Sequence, residues 1–231
     1  MKRLYKKSLI LFLGFLLIIT FYETIDFMTI RKIGEHYIAE GVKETGAINL
    51  VTSVLFEYRG FDTMGEATVI LTAAATLAFL VPTKKVSMLG TKFTIIVYQT
   101  IIFIVPFLAV LGMYLIFFGH LSPGGGFAGG VVLAIIPILI TITYGIAFAE
   151  NNFKPEHKAL LEGLGALGFI LLGIIGILVG SNFLAGSQAG FSPGIPGNLM
   201  SAGLIPYLNL MIGIKVAAGL AIIFNSMIKE D

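Results

Sequence analysis

The chain has 231 residues, of which 57% are hydrophobic and only 12% are charged, and its mean hydropathy is +0.96. A soluble domain carries about 25% charged residues, so this composition excludes a soluble globular protein and indicates an integral membrane protein. The 15 basic and 13 acidic residues nearly balance, which excludes a nucleic-acid partner, and the lack of cysteine excludes disulfides, iron–sulfur ligation and a thiolate zinc site within this chain.

Six apolar segments approach the length of about 20 residues that a helix needs to cross the hydrocarbon core of a bilayer. They are residues 8–22, 63–81, 93–118, 127–149, 159–180 and 206–228. The first is short and follows a basic start, which also describes a signal peptide, but no small-residue cleavage site follows and we interpret it as a retained anchor. The sequence therefore predicts an all-α integral membrane protein with about six transmembrane helices.

The distribution of basic residues predicts the orientation of these helices. With a cytoplasmic amino terminus, ten of the 15 basic residues fall on the cytoplasmic side and four on the outer side. The positive-inside rule then favours an N-in, C-in, multi-pass protein of the cytoplasmic membrane. The inner connection at residues 82–92 is the predicted boundary between two modules, residues 1–85 and 86–231, and we find no internal repeat relating them.

The stretch FEYRGFDTMGEATV, residues 56–69, places several ionisable side chains in front of an apolar run. In one interpretation Thr63 and Glu66 form a capping box that starts the second span. In the other, Asp62 and Glu66 lie one helical turn apart and receive cations at the outer membrane boundary, with Arg59 holding one of them ionised. The two interpretations are compatible, because a helix cap can also bind a passing cation.

Lys215 is the tenth residue of the last predicted span, which places it about 14 Å into the membrane, beyond easy reach of the surface. It is either structural, paired with an acid of a partner, or a member of an ion pathway. We expect no partner acid from this chain, because Glu150, Glu156 and Glu162 are predicted to be solvated charges at the inner rim.

The stretch GHLSPGGGFAGG, residues 119–130, predicts a tight outer turn followed by a helix-packing face. Pro123 and the three glycines Gly124, Gly125 and Gly126 turn the chain sharply, and Gly126 and Gly130 have the Gly-x-x-x-Gly spacing of close helix contacts. His120 titrates near neutral pH when unperturbed, and a boundary histidine of this kind is more often a hydrogen-bonding residue than a proton relay. The later outer loop, residues 181–205, carries no charge and suits backbone that is buried against protein.

Two of these stretches resemble known families. NLVTSVLFEYRGFDTMGEATV, residues 49–69, resembles the E-type subunit of archaeal membrane-bound hydrogenases and the C-terminal part of the A-type subunit of Mrp-type cation/proton antiporters. GMYLIFFGHLSPGGGFAGGVVLA, residues 112–134, resembles the B-type subunit of those antiporters, MnhB, and the matching F-type hydrogenase subunit. The resemblance implies a two-helix E-like module at residues 1–85 fused to a four-helix MnhB-like module at residues 86–231.

The same resemblance implies the function of a non-catalytic subunit in a hetero-oligomeric membrane complex that exchanges Na+ and H+, with no cofactor in this chain. Its implied partners are other membrane subunits and the lipid bilayer. It implies an ion-path role for Glu66 and functional sensitivity at His120, Pro123 and Phe127. Hydrogenase, sulfur reductase and plain antiporter all remain open as the parent complex, and redox catalysis in any of them belongs to partner subunits.

The residues alone also favour a subunit over a self-sufficient machine. A chain with one buried cation, no expected midplane carboxylate and no repeat symmetry is poorly equipped to run antiport by itself. Two alternatives stay open: a homo-oligomeric small transporter or channel with Lys215 lining a pore, and a structural spacer in which Glu66 only caps a helix.

Overall fold

The computed structural model describes residues 11–16, 18, 19, 22, 31–80 and 93–228. The chain forms two compact units, Met1–Glu40 and Gly41–Asp231. In the first unit, the described residues between 11 and 22 are helical. They belong to the predicted first span, residues 8–22, whose other residues lie outside the described part of the chain. The predicted inner connection at residues 82–92 lies entirely outside the described residues.

The described elements are all helical. In chain order they are α1 (Arg31–Thr45), α2 (Leu50–Ser53), a π-helical turn (Val54–Tyr58), α3 (Gly60–Leu80), α4 (Ile95–Phe117), α5 (Gly126–Tyr144), α6 (Ile146–Asn152), α7 (Pro155–Leu178), a 3-10 turn (Ser187–Ala189) and α8 (Ile205–Ile228). No strand occurs among the described residues. The predicted all-α fold is therefore confirmed for this part of the chain.

Four of the described helices, α4, α5, α7 and α8, are long and apolar enough to span a membrane. An apolar helix suits the bilayer because its backbone hydrogen bonds are satisfied within the helix itself. The segment predicted at residues 127–149 is interrupted, since Gly145 adopts a left-handed φ of 86° and separates α5 from α6. Helix α7 begins at Pro155, before the predicted residue 159, because proline is well suited to the first turn of a helix.

Helix α8 lies at the centre of the second unit. It packs against α5, α7 and α3, while α4 packs mainly against α5. Ile205, Leu208, Ile212 and Val216 recur at helical spacing and are completely or almost completely buried. This stripe forms the core together with side chains from α7, the π-helical turn and the loop before α8.

Glycines on α5 allow this close packing. A Cβ atom added at Gly126 would lie 2.2 Å from the main-chain oxygen of Asn209, and one added at Gly130 would lie 2.7 Å from that of Gly213. Real Cβ atoms do not approach other atoms so closely, so α5 contacts α8 directly along its backbone. The Gly126–Gly130 face therefore lies in the close contact between α5 and α8.

The uncharged loop at residues 181–205 is buried against the protein at its two ends, whereas residues 194–200 are exposed. Leu184, Ala202 and Leu204 are each at most 4% exposed. Gly46 lies against the same loop, because a Cβ atom there would be 2.1 Å from the main-chain oxygen of Pro193. The chain just after α1 and the loop before α8 therefore support one another.

Candidate functional site

The turn between α4 and α5 is held by hydrogen bonds from the α2 region. The side-chain amide of Asn49 donates to the main-chain oxygens of Gly119, at 2.8 Å, and Ser122, at 2.9 Å. Thr52 Oγ1 also donates to Gly119, at 2.9 Å, and the main-chain N–H of Asn49 donates to the oxygen of His120, at 3.0 Å. The oxygen of the Asn49 side chain caps α2, so one residue fixes both the helix start and the turn.

The glycines of the turn bring it against α8 as well. Gly124 and Gly125 adopt φ values of 151° and 108°, which favour glycine over residues with side chains. The N–H of Gly126 donates to Asn209 Oδ1 at 2.7 Å, and Asn209 is fully buried. A Cβ atom at Gly125 would lie 3.5 Å from Thr52 Oγ1 and 3.4 Å from Asn209 Oδ1. We call Asn49, Thr52, residues 118–126 and Asn209 the junction.

His120 lies inside this junction and is fully buried. Burial lowers the pKa of His120, and the nearby main chain of Leu199 and Asn198 opposes part of that effect. The imidazole is therefore neutral at pH 7, and neither ring nitrogen has a hydrogen bond of normal geometry among the described residues. Pro123 and Phe127, the other residues of the turn singled out by resemblance, are exposed.

The capping box predicted at Thr63 and Glu66 is wrong. Helix α3 starts at Gly60, directly after the π-helical turn ends at Arg59, so Thr63 already lies inside the helix. Its Oγ1 donates instead to the main-chain oxygen of Leu55, at 2.9 Å. Thr63 therefore ties α3 to the preceding π-helical turn, and Glu66 is exposed on α3.

Arg59, Asp62 and Glu66 form a charged surface patch at the start of α3, which we call the acidic patch. Arg59 Nη2 lies 2.5 Å from Asp62 Oδ2, as the sequence predicts for a cation beside one of the two acids. Their side chains are 61% and 45% exposed, so this ion pair contributes little to stability. Glu66 follows Asp62 by one helical turn and therefore lies on the same face of α3.

Glu57 has a structural role that the sequence did not indicate. It lies in the π-helical turn, and its Oε1 accepts hydrogen bonds from the N–H groups of Gly186, at 2.9 Å, and Ser187, at 3.0 Å. Burial raises the pKa of Glu57, while these two N–H groups act in the opposite direction. A π-helical turn often marks a specialised position, and here it directs one carboxylate into the loop before α8.

Lys215 has a partner acid in this chain, which corrects our expectation. Its Nζ lies 3.8 Å from Glu162 Oε1, and the two side chains are only 1% and 6% exposed. Glu162 was expected to be a solvated charge at the membrane rim. Because α7 begins at Pro155, Glu162 lies two turns inside that helix and faces α8. Lys215 is buried inside the helical bundle, and its depth in the membrane stays a prediction.

Lys158 is a second buried cation near this ion pair. It is 1% exposed, lies one turn before Glu162 on α7, and its Nζ is 5.6 Å from the ring centroid of Phe153. Among the described residues, the buried Asp, Glu, Lys and Arg side chains are Lys158, Glu162 and Lys215. We call these three residues the buried charge cluster.

The chain matches two family models. Residues 96–222 match a domain described as related to the MnhB subunit of Na+/H+ antiporter, and residues 1–85 match MbhE, a family described as the E-type subunit of MBH. An uncharacterized protein of Methanocaldococcus jannaschii is 35% identical over an alignment that covers 75% of this chain and 74% of that protein.

Solved structures similar to this chain include the following two. One is a chain in the structure of the membrane-bound sulfane sulfur reductase, described as an archaeal respiratory membrane complex: the TM-score is 0.76, the identity is 32%, and the match covers 95% of this chain and 100% of the other. The second is a chain of the Mrp complex from Dietzia sp., with a TM-score of 0.66, 19% identity and coverage of 86% of this chain and 23% of that one. The second likeness concerns the fold alone.

Proposed function

Since the chain belongs to the family of domains related to the MnhB subunit of Na+/H+ antiporters, we propose that it is a non-catalytic membrane subunit of a cation/proton antiporter module. The observation that carries this proposal is the match, over 95% of this chain, with a whole chain of a respiratory membrane complex. Its partners are other membrane subunits of such a complex. Na+ and H+ are the ions exchanged by the assembly, and redox catalysis belongs to other subunits.

The proposed topology has six transmembrane helices with both termini in the cytoplasm. Helices α4, α5, α7 and α8 supply four of them. The other two, which come earlier in the chain, are the apolar segment at residues 8–22 and the 21-residue helix α3. The excess of basic residues on the inner side supports this orientation in the cytoplasmic membrane. We assign residues 1–85 to an E-like module and residues 86–231 to an MnhB-like module, each of which is matched by a separate family model.

The acidic patch is the proposed site where cations approach the chain. Arg59 forms an ion pair with Asp62, which leaves Glu66 as the carboxylate of the patch most available to a passing cation. The neutral, buried His120 and the glycine-rich turn hold the neighbouring helices in place. An ion that arrives at Glu66 then continues through a neighbouring subunit.

A respiratory complex is the favoured parent of this module. The first 85 residues match the MbhE family of a membrane-bound hydrogenase, and the chain as a whole is similar to one in a sulfane sulfur reductase complex. The likeness to a chain of the Mrp complex is weaker, at 19% identity over 86% of this chain. Identifying the proteins that co-purify with this chain tests this proposal. Nickel–iron or iron–sulfur centres among those proteins would distinguish a respiratory complex from a stand-alone antiporter.

Glu66→Gln in the native complex tests the ion-path role, with Glu156→Gln as a control because Glu156 is exposed on α7. We expect Glu66→Gln to assemble normally on blue-native gels and to lose Na+-dependent proton transport in inverted vesicles. The control should retain both properties. Unchanged transport in Glu66→Gln would instead favour a structural spacer, and a homo-oligomer on the gel would contradict the subunit assignment.

A further inference from the structure

The buried charge cluster belongs to neither the junction nor the acidic patch. We propose that Glu162 is a proton-binding group inside the α7–α8 interface and that it exchanges its proton with Lys215. The chain then takes part in the proton side of ion exchange and does more than pack helices together. This inference rests on the function proposed above, in which the complex exchanges cations for protons.

The geometry of the ion pair argues against a purely structural role. The 3.8 Å between Lys215 Nζ and Glu162 Oε1 is too long for a hydrogen bond, and neither atom has a hydrogen-bond partner among the described residues. Burying two charges is costly, and their attraction offsets that cost only when further hydrogen bonds complete the pair. Two apolar side chains of similar size would join α7 and α8 at least as well. Charges retained at membrane depth under these conditions point to function.

The chemistry of the pair suits a proton that moves without creating net charge. When the ammonium group of Lys215 gives its proton to the carboxylate of Glu162, the products are a neutral amine and a neutral carboxylic acid. The pair has zero net charge before and after the transfer, so the apolar surroundings do not oppose it strongly. Transfer requires the two atoms to approach hydrogen-bond distance or to share one bridging water molecule.

Glycines on the facing helices make room for both side chains. A Cβ atom at Gly219 on α8 would lie 2.6 Å from Glu162 Oε1, and one at Gly165 on α7 would lie 2.8 Å from the Cβ of Lys215. Each charged side chain is therefore accommodated by a glycine of the opposite helix. Ile70 of α3 also approaches Gly219 and closes this region on a third side.

The other charged groups on the packed helices are few. Helices α4 and α5 contain no Asp, Glu, Lys or Arg, and α3 carries only Asp62 and Glu66, both exposed near its start. On α7, Glu156 and His157 are exposed, whereas Lys158 is buried one turn before Glu162. Lys158 is therefore the third buried charge of this region.

The test uses the intact complex purified through a tag on this chain, after the unaltered complex has shown Na+-driven proton transport in vesicles. Infrared difference spectra between low and high pH report the carbonyl stretch of protonated carboxylic acids. We expect one such band to disappear in Glu162→Gln and to remain in the exposed control Glu156→Gln. A spectrum that is identical in Glu162→Gln and the unaltered complex would overturn the assignment.

Transport measurements separate proton transfer from charge balance. Glu162→Gln should lower Na+-driven proton transport roughly 100-fold, a typical loss when a proton-transferring group is removed. The double variant Glu162→Gln/Lys215→Gln removes both charges and should assemble but remain equally inactive, and it replaces the single variant if that one fails to assemble. Recovery of transport in the double variant would show that the pair only balances charge and would overturn the proposal. Absence of transport in the unaltered complex would instead contradict the proposed function itself.

Discussion

Replacing Asn49 by alanine should loosen the junction between the α2 region and the α4–α5 turn. The side chain of Asn49 caps α2 through its oxygen and holds the turn through its nitrogen. Alanine removes both functions and leaves the main-chain oxygens of Gly119 and Ser122 with fewer donors. The α2 region and the α4–α5 turn would then lose these two side-chain hydrogen bonds.

The expected loss of stability follows from the contacts of the amide. Its nitrogen lies 2.8–2.9 Å from three acceptors, on Thr52, Gly119 and Ser122, but it has two hydrogens, so two full hydrogen bonds are lost. Each contributes about 1 kcal/mol, and loss of the helix cap costs about 1 kcal/mol more. The sum of about 3 kcal/mol lowers the Tm by roughly 6–12 °C in a chain of this size.

Thermal unfolding of the detergent-solubilised chain measures this effect, with Asn152→Ala as the matched control. Asn152 also donates through its amide, at 2.9 Å to the main-chain oxygen of Phe148, but it is exposed at the end of α6. The control should lower the free energy of unfolding by no more than about 0.5 kcal/mol. Asn49→Asp keeps the cap acceptor, but it loses the donors and places a carboxylate oxygen against the main-chain oxygens of Gly119 and Ser122, so it should be at least as harmful as alanine. Equal melting temperatures for Asn49→Ala and Asn152→Ala would refute this reasoning.

Two further substitutions test the packing and the loop contact. Gly126→Ala places a Cβ atom 2.2 Å from the main-chain oxygen of Asn209 and should lower the free energy of unfolding by about 1–3 kcal/mol. The control Gly163→Ala meets no atom within 4 Å and should raise the free energy of unfolding by about 0.5–1 kcal/mol. Thermal melts in detergent decide this, and equal effects would contradict the close α5–α8 contact. Burial raises the pKa of Glu57, so the folded state binds the proton more tightly than the unfolded state does. The stability that this supplies is fully present below the unfolded pKa of about 4.3, and it is lost as the pH rises through the raised pKa of the folded state. Chemical unfolding across this pH range should show the free energy of unfolding falling as the pH rises in the unaltered chain, and a flatter pH dependence in Glu57→Gln. Identical pH dependences in the two chains would contradict this role of Glu57.

The positions of the long helices were predictable because hydropathy reports them directly. A lipid-spanning helix needs about 20 apolar residues, and α4, α7 and α8 coincide with segments of that kind. The details that hydropathy missed depend on local backbone geometry. Gly145 divides α5 from α6 through its left-handed φ, and α3 starts at Gly60 because a π-helical turn precedes it.

The candidate site was predictable only where a single residue carries the signal. Lys215 stands out by its depth in an apolar span, but its partner Glu162 lies on another helix and was misplaced when α7 was predicted to begin at residue 159. Glu57 pairs with Gly186 across 129 residues of sequence, and no local pattern reports such a contact. Partner identities of this kind depend on how helices pack, which hydropathy alone does not determine.

Sodium-driven proton transport in proteoliposomes tests the proposed role of the chain most directly. The measurement compares liposomes that contain the intact complex with liposomes that contain only this chain, at equal amounts of chain and under the same sodium gradient. We predict transport by the complex and none by the isolated chain, whose described part holds only one buried carboxylate among its candidate spans. Robust exchange by the isolated chain would contradict this role and establish a self-sufficient transporter.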